Sequence, residues 1–289
     1  MKTSVNPPIG YPELDLGAFS YGLAHEAINS DTYRERLKKI SQSGRYLILD
    51  NGADELGSGL KGDSYYDLIA EVEPNEVIAP DVLGDAKETR ERFEEFYPWF
   101  EEYRTQAEGP VPKLMAVVQA QSYPEWVNEY EHYMNDKRVD VIGVPYDIGF
   151  DTPDVEGLED FLALGDHISH TWSKNRVSLL SHLWKFGKEI HLLGMSTLQE
   201  LYYYTLYSRS FTHIRSNDTT APFAAAIVGD EREWGEGESG FKDWNSLDFN
   251  TTNLNVDKAL ELLNIYFHTT RDRDGIKNFR LHTREHEHA

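Results

Sequence analysis

The chain has 289 residues, of which 39% are hydrophobic, and it contains no cysteine. That length and composition allow one large domain with a sizeable core, while the cysteine count excludes disulfides, thiolate zinc sites and a cysteine nucleophile. No apolar stretch approaches the length of a membrane span and no signal-peptide core follows Met1, so we expect a soluble, cytoplasmic protein without a membrane partner.

Acidic residues dominate the charge of the protein, whose formal net charge is −22. Such a charge is typical of proteins that stay soluble in concentrated salt, which favours a halophilic cell or its virus as the source. An acidic enzyme from an ordinary cell is the alternative. Broad, nonspecific binding of nucleic acid needs a basic surface, so any nucleic-acid contact must be local or must operate in high salt.

Short apolar runs alternate with helical stretches along the chain, which predicts βα units on a parallel sheet. The predicted strands lie at residues 18–23, 46–49, 77–80, 114–118, 139–143, 189–193, 212–216 and 223–228. Helices are expected at 30–43, from 64, at 86–108, 123–135, twice within 155–187, at 196–208 and at 256–268. We therefore predict an α/β fold, a single (β/α)8 barrel domain over residues 1–289. Its core spans about 18–268, with a long loop at 229–252 and a frayed tail at 280–289.

Six of the predicted strands are followed by a polar residue or a glycine that suits contact with a nucleobase. The six residues are Asp50, Asp81, Gln119, Gly143, Gly194 and Asp218. Because the chemistry of βα barrels takes place at the carboxyl ends of the strands, this ring is a candidate active site.

Each of these residues also has an ordinary explanation. The segment Asp50-Asn51-Gly52 is typical of a tight turn. Asp81 or Asp218 could simply cap a helix or lie in a loop. Gln119 is more informative, because an amide at the end of an apolar strand is costly to bury without a partner.

The order and spacing of these segments resemble the tRNA-guanine transglycosylases, and more closely their shorter phage-type relatives, the DpdA group, which put 7-deazaguanines into DNA. The segments that carry the resemblance are Asp50-Asn51-Gly52-Ala53, Ile78-Ala79-Pro80-Asp81, Val117-Val118-Gln119-Ala120, Ile142-Gly143-Val144, Leu192-Leu193-Gly194-Met195-Ser196, and Asp218 with Pro222 four residues later. The resemblance covers roughly residues 18–228. It departs from the family at Ala53 and Val144, where the family has glycine, and in the missing cysteines of the zinc subdomain that the tRNA enzymes carry.

The resemblance implies a base exchange in which Asp218 is the nucleophile and Asp50 the acid/base. Such an exchange needs a carboxylate to attack the anomeric carbon and a proton donor and acceptor for the two bases. The base-binding residues that the resemblance implies are Asp81, Gln119, Gly143, Leu193 and Gly194. An ionised Asp81 could accept N1–H and the exocyclic amine of guanine, while Gln119 and the backbone of Gly143 address the carbonyl side. The target nucleotide must leave its stack to reach them.

We expect a guanine transglycosylase that inserts a 7-deazaguanine such as preQ0, with no cofactor and no metal. DNA is preferred to tRNA as the partner because the zinc subdomain is missing. The alternatives are the catalytic core of a tRNA-guanine transglycosylase and a catalytically silent barrel that serves as a binding subunit. A metal hydrolase is a weaker rival, because the first predicted strand has no His-x-His pair.

Two surface features bear on partners. A local basic group is the best candidate for phosphate contacts, although a solvated face explains it equally well. It consists of Lys174, Arg176, Lys185 and Lys188. The tyrosine-rich run at 201–207 favours packing or a subunit contact, as in a homodimer, over base stacking.

Overall fold

A computed structural model describes residues 1–107, 109–158, 171–183, 187–194, 198–228 and 254–287. Its centre is an eight-stranded parallel sheet that curls into a nearly closed barrel. The strands are β1 (Lys2–Val5), β2 (Ser20–Leu23), β3 (Leu47–Asp50), β4 (Glu76–Ile78), β5 (Lys113–Val117), β6 (Val141–Pro145), β7 (Glu189–Leu193) and β8 (Ile214–Thr219). The predicted (β/α)8 barrel is confirmed.

The hydrogen-bonded strand order is β1-β8-β7-β6-β5-β4-β3-β2, so the seam of the barrel lies between β1 and β2. One hydrogen bond crosses this seam, from the backbone N of Ala18 to the carbonyl of Thr3 at 2.8 Å. All strands run in the same direction, so their carboxyl ends surround one mouth of the barrel.

Helices alternate with the strands on the outside of the sheet. They are α1 (Ala24–Asn29), α2 (Asp31–Gln42), α3 (Ala53–Leu56), α4 (Asp63–Val72), α5 (Ala86–Gln106), α6 (Tyr123–Asn135), α7 (Thr171–Ser181), α8 (Leu198–Leu206), α9 (Ala221–Val228), α10 (Val256–Thr270) and α11 (Arg273–Glu287). Several helices begin after a residue whose side chain caps them. Ser30 accepts the backbone N–H of Tyr33 at the start of α2, and Asp85 accepts that of Glu88 at the start of α5. Within the described ranges, no helix has both the length and the apolar character needed to cross a bilayer.

The first barrel strand is the amino-terminal segment β1, which the sequence analysis did not identify. Thr3 and Ser4 are fully buried in it. The Thr3 hydroxyl donates to Asn217 Oδ1 at 3.0 Å, and the Thr3 backbone N–H donates to Asp272 Oδ2 at 3.0 Å. Because polar partners rather than an apolar pattern stabilise β1 inside the protein, hydrophobic periodicity could not reveal it.

The predicted eighth strand at 223–228 is wrong, because these residues belong to α9. A short apolar run fits a buried helix as well as a strand, and three alanines within 224–226 favour the helix. Pro222 lies in the first turn of α9, where its missing N–H costs nothing. The barrel therefore keeps eight strands, with β1 in place of 223–228.

A second apolar cluster packs against the end of β1. Val5 and Leu14 pack with Phe223 of α9 and with Leu263 and Phe267 of α10. The predicted frayed tail at 280–289 is also wrong as far as Glu287, because α11 continues to that residue. The long loop at 229–252 and the second helix expected within 155–187 lie outside the described residues.

Candidate active site

The carboxyl ends of the strands enclose a cavity of about 580 Å³. Six of the residues that the sequence analysis assigned to catalysis and base binding line this cavity. They are Asp50, Asp81, Gln119, Leu193, Gly194 and Asp218. The volume lies in the range of small-molecule pockets. Parallel strands that end at one mouth thus bring together side chains that are far apart in the sequence.

Asp81 follows β4 and is held by two amides on neighbouring strand ends. Asn51 Nδ2 donates to Asp81 Oδ1 at 2.6 Å, and Gln119 Nε2 donates to Asp81 Oδ2 at 2.7 Å. The side-chain carbonyl of Gln119 accepts the backbone N–H of Gly84 at 2.9 Å. This bond orients the amide so that its NH2 group faces Asp81. Burial raises the pKa of Asp81, and the two amide donors oppose that shift. Each carboxylate oxygen keeps a second lone pair for a ligand in the cavity.

Asp218 lies in β8, one residue before the strand ends. Its Oδ1 accepts from His191 Nε2 at 3.1 Å and from the backbone N–H of Gly194 at 3.1 Å. Its Oδ2 makes a long contact, 3.5 Å, with Asn6 Nδ2, and no closer donor reaches it from the residues that the structure describes. One carboxylate oxygen is therefore fixed by two close donors, and the other is more available to the cavity.

Gly194 has a conformation that favours glycine, with φ of 58°. A Cβ atom at this position would also lie 2.7 Å from Cδ1 of Tyr146. Both constraints explain why a glycine follows β7, where its backbone N–H reaches Asp218.

Carboxylates dominate the wall of the cavity. The acidic lining residues are Glu26, Asp50, Asp54, Glu55, Asp81, Asp147 and Asp218, and the described lining contains no lysine or arginine. Burial and the nearby carboxylates of Glu55 and Asp218 raise the pKa of Asp50 well above its usual range. Burial, together with Glu55 and Asp147, raises the pKa of Asp54 to about 7. The wall therefore favours protonated acids beside the Asp218 carboxylate, an arrangement that can donate protons.

Comparisons with known proteins do not supply a family. No family model matches the chain, and no curated protein matches it. The resemblance to the transglycosylases therefore stays a prediction.

Gly143 does not have the position that was expected of a base-binding residue. It lies in the middle of β6, its carbonyl accepts the backbone N–H of Val118 at 3.0 Å, and it does not line the cavity. A Cβ atom there would come within 3.0 Å of both Leu193 Cδ1 and Met115 Sδ. Gly143 thus leaves space for packing beneath the cavity, and the expected backbone contact with a base is wrong.

The expected phosphate contact of Arg176 is also wrong. Its side chain is completely buried and forms an ion pair with Glu200, with Nε 2.7 Å from Oε1. Its guanidinium also donates to the carbonyls of Leu193 and Gly194, at 2.7 and 2.9 Å. Arg176 therefore supports the end of β7 from behind the cavity, where no phosphate can reach it.

Of the other members of the basic group, Lys188 lies away from the mouth of the barrel. Lys188 precedes β7, at the end of the barrel opposite Asp218, and its Nζ donates to the carbonyls of Tyr133 and Asp136. Lys174 is half-buried on α7. Lys185 lies outside the described residues.

Sequence reasoning missed three polar residues that support the site. Asn6 follows the strand that was not predicted, and Asn51 was interpreted as turn chemistry. His191 was assigned to the interior of the predicted strand at 189–193. The alternation of side chains along a strand could have identified it as a site residue, because His191 and Leu193 share one face of β7 and Leu193 lines the cavity. Among the described residues, no group of three or more His, Cys, Asp or Glu side chains could hold a metal ion.

Proposed function

We propose that this protein is a pentosyltransferase that exchanges guanine for a 7-deazaguanine in a polynucleotide, with DNA preferred to tRNA, through a covalent aspartyl-glycosyl intermediate. The observation that carries the proposal is the pairing of Asp218 with Asp50 on one cavity. Asp218 lines the cavity with Oδ1 held by two close donors and Oδ2 in only a long contact with Asn6, and Asp50 favours the protonated state. A nucleophilic carboxylate beside an acid is what retaining glycosyl transfer requires.

The first half of the reaction releases guanine. Asp218 Oδ2 forms a bond to the anomeric carbon, the bond from that carbon to the guanine nitrogen breaks, and its electron pair goes to the base. Protonated Asp50 neutralises the departing base by donating its proton. In the second half, the Asp50 carboxylate takes the proton from the ring nitrogen of the incoming base, which attacks the anomeric carbon and releases Asp218.

The cluster around Asp81 supports guanine as the base that is recognised. Guanine and 7-deazaguanine present N1–H and an exocyclic amine on one edge, and a carboxylate can accept from both. Asn51 and Gln119 hold Asp81 at 2.6 and 2.7 Å, so this acceptor is already oriented before a base enters. An oriented acceptor lowers the entropy cost of binding and thereby raises selectivity.

The acidic wall supports a second candidate, base exchange on a free nucleoside. Seven acidic side chains and no described lysine or arginine line the cavity, and those that stay ionised repel phosphodiesters near its mouth. A neutral nucleoside meets no such repulsion. A polynucleotide would need high salt, in which this repulsion is screened.

Labelled-guanine exchange tests both candidates. DNA, tRNA and free deoxyguanosine or guanosine are each incubated with isotopically labelled guanine in dilute buffer and in molar potassium chloride, followed by mass spectrometry of the nucleosides. Exchange into DNA supports the main proposal, and exchange into tRNA identifies the catalytic core of a tRNA enzyme. Exchange into the free nucleoside alone favours the second candidate. No exchange into any of them would indicate a catalytically silent barrel.

The Asp218→Asn variant tests the mechanism. Wild-type protein should form an adduct with the abasic substrate that survives denaturation and disappears when the incoming base is added. Asp218→Asn should fold normally and form no adduct, because an amide is a poor nucleophile. Exchange by Asp218→Asn at nearly the wild-type rate would contradict the mechanism. A purely structural Asp218 would cost only about 1 kcal/mol of stability when replaced.

A further inference from the structure

A chain of buried polar contacts runs from the wall of the barrel to Asp218. Arg215 Nε lies 3.0 Å from Ser216 Oγ, which lies 2.8 Å from His191 Nδ1, and His191 Nε2 lies 3.1 Å from Asp218 Oδ1. His191 is fully buried and Ser216 nearly so. Arg215 is held in turn by a bidentate ion pair with Glu76, at 2.9 and 2.8 Å.

The direction of these hydrogen bonds follows from the chemistry of their ends. Arg215 Nε is always a donor, so Ser216 Oγ accepts from it. The Ser216 hydroxyl hydrogen can then point to His191 Nδ1, which makes Nδ1 the acceptor and leaves the imidazole proton on Nε2. A proton on Nε2 faces Asp218 Oδ1, where it forms a charge-assisted hydrogen bond.

The same three residue types occur in serine nucleophile triads, but here the arrangement is inverted. Ser216 and His191 do not line the cavity, whereas Asp218 does. The Ser216 oxygen also accepts from the cationic Arg215, which lowers its value as a nucleophile. The group that faces the substrate space is therefore the carboxylate, and the imidazole lies behind it.

We propose that His191 is a positioning residue that fixes Asp218 Oδ1 through its Nε2–H, so that Oδ2 is held ready to attack the anomeric carbon. The inference rests on the proposed function of Asp218 as nucleophile. His191 itself transfers no proton and touches no substrate. Tyr21 keeps the ring flat against the barrel interior, since their rings stack with centroids 5.9 Å apart and planes 10° apart.

Two substitutions at His191 distinguish the loss of the Nε2–H donor from the loss of the imidazole ring. The Gln amide extends one methylene farther from the backbone than the Asn amide, so His191→Gln keeps a donor near the Nε2 position. His191→Asn keeps a polar group only near the Nδ1 position and loses the contact with Asp218. Both variants lose the ring and its stacking on Tyr21, so they are matched controls for each other.

The readout is the single-turnover rate of adduct formation with a guanine polynucleotide, together with the Kd of free guanine. His191→Gln should form the adduct within about tenfold of the wild-type rate, and His191→Asn about 100-fold more slowly, because a nucleophile misplaced by about 1 Å loses a factor of that size. The Kd of guanine should change by less than about twofold in either variant, because the base contacts at Asp81 remain. Equal rates in the two variants, or a parallel loss of guanine affinity, would overturn the inference.

The protonation state of His191 provides a test that needs neither folding of the variants nor activity. Long-range ¹H–¹⁵N correlation spectra of wild-type protein should show His191 with a proton on Nε2. An unprotonated Nε2 would overturn the inference. If wild-type protein forms no adduct with any polynucleotide or nucleoside, the proposed function fails, and the spectrum still decides whether His191 holds Asp218.

Discussion

Both carboxylate oxygens of Asp81 accept an amide hydrogen before any base is bound, from Asn51 on one side and Gln119 on the other. Asp81→Asn replaces one acceptor oxygen with an NH2 group, which then faces one of these amide donors. In the proposed base exchange, it also removes one acceptor for the edge of guanine. We expect kcat/KM for guanine exchange to fall by about 2–4 kcal/mol of transition-state stabilisation.

The measurement is steady-state exchange of labelled guanine, with a thermal melt as the control for folding. Unchanged exchange by Asp81→Asn would remove Asp81 from the base-binding site. A loss of exchange that is fully accounted for by a lower Tm would show a structural role instead.

Asp54 should make stability depend on pH. Burial and neighbouring carboxylates raise its pKa to about 7 in the folded protein, against an ordinary value of about 4. The folded state therefore binds a proton that the unfolded state releases between these values, and stability falls as pH rises from about 4 to about 7. Asp54→Asn should remove this dependence and stabilise the protein at pH 8. Protein surrounds the carboxylate on most sides, but the side chain lines the cavity and keeps contact with its water, so solvent screening limits the gain to about 1 kcal/mol.

Urea unfolding at several pH values tests this expectation. The wild-type protein and Asp54→Asn should have similar free energies of unfolding near pH 4 and should differ at pH 8. A difference that stays constant across that range would contradict the assignment of the pH dependence to Asp54.

At the scale of elements, Asp272 joins the two ends of the chain. Its Oδ2 accepts the Thr3 N–H of β1 at 3.0 Å, and its Oδ1 accepts the backbone N–H groups of Asp274 and Gly275 at the start of α11, at 3.1 and 3.2 Å. Asp272→Ala removes a helix cap and leaves a buried N–H unpaired. We expect a loss of about 2–3 kcal/mol in the free energy of unfolding.

Asp274→Ala is a matched control, because Asp274 is an exposed carboxylate in the same turn. Its substitution should change the free energy of unfolding by no more than about 0.5 kcal/mol. Hydrogen exchange at Thr3 should accelerate in Asp272→Ala but not in the control. Equal stability of the two variants would show that the bond from Thr3 to Asp272 does not stabilise β1.

At the scale of the whole molecule, the net charge of −22 sets how stability depends on salt. Repulsion among the carboxylates opposes the compact state and is screened at molar ionic strength. The Tm should therefore rise from dilute buffer to molar potassium chloride, and any polynucleotide exchange should improve over the same range. A Tm that falls steadily over this range would refute the halophilic interpretation.

The α/β class, most element positions and six of the residues that line the cavity follow from the amino-acid sequence alone. A short apolar run indicates a buried strand and apolar residues at helical spacing indicate an amphipathic helix, so these local patterns predict β7 and α6 at their observed bounds. In a barrel of parallel strands, residues after successive strands must meet at one mouth, and this rule alone predicts that Asp50, Asp81 and Asp218 lie together.

The residues that hold the side chains of the cavity in place follow from tertiary contacts and not from local sequence. β1 is stabilised by partners such as Asp272, which lies 269 residues away from Thr3 in the sequence, and no local pattern encodes such a partner. Arginine is a residue type that commonly binds phosphate, and the sequence therefore predicted that role for Arg176. Its burial and its ion pair with Glu200 show that the side chain supports the structure instead. His191 acquires its role only because the register of β7 and β8 places it between Ser216 and Asp218. Local periodicity records burial, whereas hydrogen-bond partners depend on which distant strands become neighbours.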